Sequence, residues 1–109
     1  MTDNIQKLYE IAGVGSVGFN TYTLEDEYTP FTAEKQLELI KLMGSYLFNN
    51  FHCYVVSARW SVDYGKWATG VGGCDIYHEE FDQAIAGLML EVWNAIPDDQ
   101  KQEIKRILQ

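Results

Sequence analysis

An α+β domain follows from three observations on this chain. Apolar residues recur at helical spacing in four places, two runs alternate between apolar and polar residues with Thr and aromatic side chains, and Asp63-Tyr64-Gly65-Lys66 is a hairpin turn between two such runs. The expected order is αβαββαα, a small antiparallel three-stranded sheet covered by helices, with residues 1–109 forming a single domain.

The first helix is capped by Thr2 or Asp3, carries Ile5, Leu8, Tyr9 and Ala12 at helical spacing, and stops at Gly13. Val17 to Leu24 reads as a strand, and Glu25-Asp26-Glu27 as an acidic turn after it. Thr29-Pro30-Phe31-Thr32 opens the second helix, since Pro30 blocks earlier extension and Thr32 accepts from unpaired backbone N–H groups. Its expected buried stripe is Leu37, Ile40, Met43, Gly44 and Leu47, widened by Leu39, Leu42 and Tyr46, and Asn49-Asn50 ends it.

Phe51 to Val62 is the strongest strand candidate, with Tyr54, Val56, Ala58, Trp60 and Val62 on one face; Trp67 to Gly72 returns beside it. Glu79 to Ala95 is a helix with Phe81, Ala84, Ile85, Leu88, Met89, Val92 and Trp93 inward, and Glu79, Glu80 and Asp82 against the positive end of its dipole. Pro97-Asp98-Asp99 starts the last helix, which turns Ile104, Ile107 and Leu108 inward.

These elements resemble the small phage-encoded domains described as an ABA sandwich. The likeness is carried by the Leu8 to Gly13 helix end, the Thr29-Pro30-Phe31-Thr32 start with its Leu-rich helix, the strand pair around Trp60 and Trp67, and the Ala/Leu-rich helix from Glu80. It implies a viral or mobile-element source and a small inhibitor or accessory role, and brings no catalytic residues.

Charge is the strongest functional lead. Sixteen acidic residues face eight basic ones, for a formal charge of −8, and no Lys or Arg occurs from Leu8 to Glu34 or from Trp67 to Gln100. Such blocks imply a strongly negative region on the surface. They oppose direct binding to nucleic acid or anionic lipid, which depends on Lys and Arg displacing counterions. The polar Met1-Thr2-Asp3-Asn4 start and short apolar runs argue against a signal peptide or membrane span and for a cytoplasmic protein, in the host cell if phage-encoded.

Named chemistries fare poorly. Gly13-Val14-Gly15-Ser16-Val17-Gly18 matches G-x-G-x-x-G, but a helix precedes it and a strand follows, the reverse of a dinucleotide loop. His52, Cys53, Cys74 and His78 lack zinc-site spacing, and the cysteines read as small buried hydrophobes. Acidic pairs at Glu79-Glu80 and Asp98-Asp99 fall at helix starts, where carboxylates stabilise without chemistry. No catalysis, metal or cofactor is expected.

Two surfaces therefore carry the binding expectations. Glu25, Asp26, Glu27, Glu79, Glu80, Asp82, Asp98 and Asp99 are placed to present carboxylates, in lieu of phosphates, to the basic surface of a host nucleic-acid-binding or defence protein. That makes the chain a non-catalytic inhibitor of the anti-CRISPR or other anti-defence type. Alternatively, Arg59, Trp60, Tyr64, Lys66 and Trp67 hold a nucleotide-like molecule by stacking and charge at the hairpin. A homo-oligomeric phage accessory protein is the third reading.

Overall fold

The computed structural model describes residues 3–51, 56–71 and 74–109, with side chains at 3–44, 58–70 and 76–109. The fold is α+β: helices α1 (Asn4–Ala12), α2 (Ala33–Phe51), α3 (Phe81–Val92) and α4 (Asp98–Leu108) accompany a two-stranded ribbon, β1 (Gly18–Asn20) with β2 (Glu25–Glu27), and an antiparallel sheet ordered β3–β4–β5. Strand β3 spans Val56–Ser61, β4 Lys66–Val71 and β5 Cys74–His78.

Local chemistry sets the helix ends as expected. Asp3 Oδ1 accepts from the Gln6 N–H at 2.7 Å, capping α1, and Gly13 closes it at φ 79°, a left-handed conformation that costs glycine little. Thr32 Oγ1 accepts from the Lys35 N–H at 3.3 Å, and the Gln36 side chain donates to the Phe31 carbonyl at 2.9 Å, fixing the entry to α2. The inward side of α2 is Gln36, Leu39 and Met43, while Leu37 is exposed, so the expected stripe is turned away from Leu37. Leu47 and Tyr46 lie outside the described side chains, and the helix runs through Phe51, past Asn49-Asn50.

Helix α3 is the hub. Gln83, Ala84, Ile85, Ala86, Leu88 and Met89 are all buried, because the helix packs on β4 and β5 on one side and on α1 on the other. Thr69, fully buried on β4, donates from Oγ1 to the Ala84 carbonyl at 2.8 Å. Beyond α3, Leu8, Tyr9, Leu39, Met43, Met89, Trp93, Ile96, Ile104 and Leu108 form the main core among the helices. The helix begins at Phe81 and gives way to a single 3-10 turn at Trp93–Ala95.

Four expectations change in the strands. The expected strand over Val17 to Leu24 is two things: β1 and a four-residue turn, Thr21 to Leu24. Asn20 causes the turn, since its Oδ1 accepts from the N–H groups of Tyr22 at 2.9 Å and Thr23 at 3.2 Å. Glu25-Asp26-Glu27 is then the returning strand and not a turn. The sheet's third strand is β5, a segment the pattern did not flag. Its residues Ile76, Tyr77 and His78 pair with Thr69, Ala68 and Trp67. Phe51 belongs to α2, and β3 is described from Val56; residues 52–55, including His52, Cys53 and Tyr54, lie outside the described residues, as does Gly72. Gly65, at φ 62°, makes the β3–β4 turn.

Candidate protein-binding groove

The ends of α1 and α3 are tied together. The Asn4 N–H donates to Gln83 Oε1 at 2.8 Å, and Asn4 Nδ2 donates to the Gln83 carbonyl at 3.1 Å. Gly87 permits this approach: a Cβ there would stand 3.0 Å from both Asn4 Nδ2 and Ile76 Cγ2. The tie sets Asp3, just before α1, near Asp82, in the first turn of α3.

The ribbon's base completes the groove. Tyr28 and Phe31 pack edge-on against the fully buried ring of Tyr9, at 5.4 and 6.2 Å between centroids, which anchors the chain leaving β2. The result is a cleft of about 320 Å³ lined by the carboxylates of Asp3, Glu25, Asp26 and Asp82 together with Ile5, Tyr28, Phe31, Gln6, Thr29 and Pro30. No Lys, Arg or His is among the lining residues.

Two of the carboxylates are held in place. Asp3 is engaged by the α1 cap, and Asp82 Oδ1 accepts from the Gln83 N–H at 2.8 Å; each has further acceptor capacity. The local field registers on Tyr28, whose phenol is pushed above 10.0 by burial and then by the negative charges of Glu10 and Asp26. Tyr9 is likewise raised, by burial, with the Thr29 hydroxyl offsetting part of it. At the groove's Thr29 end sits Lys35, but its Nζ is committed to Thr29 Oγ1 at 3.2 Å and to the Leu108 carbonyl at 3.0 Å, where it neutralises the negative end of α4.

A second cleft, between α2 and α4, makes the contrast clear. It is of similar volume, about 340 Å³, yet sets Glu38 and Glu103 against Lys41 and Arg106, with Arg106 paired to Glu103. Its charges cancel; those of the first groove do not.

The eight carboxylates singled out from sequence are thus divided. Glu25, Asp26 and Asp82 come together. Glu27 is not among the groove's lining residues; it stands across the ribbon from Gly18, with Oε2 3.6 Å from where a Gly18 Cβ would be. Glu79 and Glu80 precede α3 outside the groove lining, and the Glu80 N–H donates to His78 Nδ1 at 3.0 Å. Asp98 and Asp99 start α4, whose far end meets Thr29, so they stand roughly 15 Å away along that helix. Asp3 is the residue sequence reasoning missed as a site residue: its cap signature was legible, its proximity to Asp82 was not.

The alternative aromatic–cation site is split by the pleat. Trp60 pairs across the strands with Trp67, so both point to the α3 side, where their rings meet edge-on at 5.5 Å and Trp67 packs on Phe81 at 4.9 Å. Arg59 and Lys66 are one residue out of step and lie on the opposite side, and the Tyr64 ring packs at a tilt against Tyr77, 5.0 Å between centroids. The five residues do not form one pocket. The glycine run keeps the helix-then-strand order that argues against a phosphate loop, and Gly13 serves as the α1 cap. Among the described residues no group of His, Cys, Asp and Glu is arranged to hold a metal; His52 and Cys53 lie outside them, as does the side chain of Cys74. No described helix is long and apolar enough to cross a membrane.

No family model, curated protein or solved structure matches the chain.

Proposed function

We propose that this protein is a non-catalytic acidic inhibitor, of phage or mobile-element origin and anti-defence type, that works in the host cytoplasm by occupying the basic, nucleic-acid-binding surface of a host protein. One observation carries the reading: Asp3, Glu25, Asp26 and Asp82, from three separate stretches of chain, line one groove with no cation among its lining residues. Uncompensated carboxylates beside Ile5, Tyr28 and Phe31 suit Lys and Arg side chains, whose charged heads meet the carboxylates while their methylene stems cover the apolar residues. The same charges repel nucleic acid, so the chain competes with it for the partner without binding it. Complementarity of this kind speeds encounter and makes association sensitive to salt.

The test is a capture experiment with a competition arm. The immobilised protein is exposed to host lysate at low and high ionic strength, beside a variant carrying Glu25→Ala, Asp26→Ala and Asp82→Ala. A captured protein should be lost at high salt and with the variant, and purified, should release its bound nucleic acid when this chain is added. Capture indifferent to salt and to the three carboxylates, or a partner that keeps its nucleic acid in the presence of excess inhibitor, overturns the reading.

A further inference from the structure

The β1–β2 ribbon presents a surface the rest of the fold does not use. Among the described residues no helix or third strand packs on it or pairs with it. A lone two-stranded ribbon is at best marginally stable in water. Yet this one exposes large apolar side chains: Phe19 is 56% exposed, Val17 67%, Leu24 73% and Tyr22, at the turn, 97%. Leu24 holds φ 57°, a left-handed conformation that a branched side chain adopts at a cost. The ribbon keeps apolar residues and a strained turn where polar residues and glycine serve an isolated hairpin better.

We infer that the ribbon accepts a third strand: an extended Lys- and Arg-bearing segment of the partner, laid along the edge of β2. Side chains on adjacent strands meet in register, so cations two residues apart on the incoming segment come opposite Glu25 and Glu27 on one face. The residue between them meets the other face, where Phe19 and Asp26 are paired directly across the ribbon. That residue stands beside Asp26, with Phe19 one strand further on, so the charge requirement falls on the two flanking positions and the segment has a cation–uncharged–cation repeat. The partner's sign rests on the function proposed above, whereas the strand geometry rests on the open ribbon.

Charge complementarity chooses this occupant over a second copy of the chain. Acidic side chains on an edge strand block pairing with a like strand, and β2 laid on another β2 sets Glu25, Asp26 and Glu27 against the same three residues. The feature that prevents self-association is the one that recruits a basic strand.

Strand addition requires backbone donors on the incoming segment, and simple attraction does not. Isotope-labelled full-length protein is titrated at low ionic strength with an acetylated, amidated nine-residue peptide alternating Lys and Val, and with the same peptide N-methylated at every peptide nitrogen, which keeps the charge and removes the donors. The expected result is saturable amide shifts and slowed hydrogen exchange at Glu25, Asp26 and Glu27, and at least ten-fold weaker binding of the methylated peptide. Equal affinity for the two peptides, or shifts confined to Asp3 and Asp82, overturns strand addition and leaves the basic-partner reading standing. Saturable binding of neither peptide overturns both. Concentration-dependent protection of β2 without any peptide assigns the ribbon to a second copy and overturns the inference.

Discussion

Two of the antiparallel strand pairs among the described residues, β1–β2 and β3–β4, are built from similar material and meet different fates. In β3–β4, Trp67 packs on Phe81, Thr69 hydrogen-bonds to α3, and Ala68, Thr69 and Gly70 are buried, while Trp60 on β3 rests half-exposed against Trp67. In β1–β2, Phe19 and its apolar neighbours face solvent and every residue of β2 is exposed. Both have aromatic residues in strands and a left-handed residue in the turn, Gly65 in one and Leu24 in the other. What separates them is a neighbour: β4 has the hub helix α3 on one face and β5 on its edge, and among the described residues the ribbon has neither. Strand propensity makes a hairpin; only a covering layer makes it part of the core. The uncovered hairpin is the one joined to the acidic groove, which is why the proposed binding is placed at that end of the molecule.

The sharpest way to break the comparison is to truncate one aromatic from each hairpin. Trp67→Ala should cost about 3 kcal/mol of stability, because it empties the contact with Trp60 and Phe81. Phe19→Ala should stay within about 0.5 kcal/mol, as exposed substitutions do. Urea titrations of both variants decide the matter, and a comparable loss for Phe19→Ala would mean the ribbon is packed in solution.

Gly87→Ala addresses the tie between α1 and α3. The new methyl meets Asn4 and Ile76 at 3.0 Å, so a loss of about 2 kcal/mol in thermal or chemical unfolding is expected, with Asp3 displaced from Asp82. Charge can be separated from fold at the same groove with Asp3→Asn, Asp26→Asn and Asp82→Asn together. Asn caps a helix as well as Asp does, so the unfolding midpoint should hold while partner affinity falls roughly ten-fold at low salt. Calorimetry of binding and of unfolding on one preparation gives both numbers.

Leu24→Gly should raise stability by up to about 1 kcal/mol by relieving the left-handed backbone, while weakening partner binding through loss of the exposed side chain. A fall in stability would place Leu24 in a contact of the free fold. The smallest effect is spectroscopic. Burial, with the Glu10 and Asp26 charges added, holds the Tyr28 pKa above 10.0 in the fold, so its contribution to stability is fully present below pH 10 and is lost as pH rises through the folded value. Asp26→Asn should move the Tyr28 titration down, toward the ordinary value, leaving Tyr9, shifted by burial, where it is. An unmoved Tyr28 would mean that Asp26 does not sit over the groove.

Much of the fold was legible before any coordinates. The Asp3 cap, the Gly13 stop, the Thr32 entry and the Pro97 start of α4 depend on groups within a turn of one another, and each was readable as a short pattern. The ribbon was harder because β1 and β2 are three residues each, too short for alternation to declare itself, and an all-acidic strand has no strand propensity to betray it. β5 was missed for a related reason: Cys74-Asp75-Ile76-Tyr77-His78 acquires its strand character from pairing with β4. The alternative ligand site failed on parity, since Arg59 and Trp60 are neighbours in sequence and therefore on opposite faces of the sheet.

Composition and local chemistry thus settled the class of fold, the helix ends and the excess of negative charge, because caps, turns and side-chain periodicity act over a handful of residues. Tertiary packing decided which strands acquired a covering helix and which carboxylates met. Asp82 lies beside Asp3 because Asn4 and Gln83, 79 residues apart, close on each other across the space that Gly87 leaves open. No local preference encodes a contact at that separation; it forms only when the core around α3 brings the two helices together.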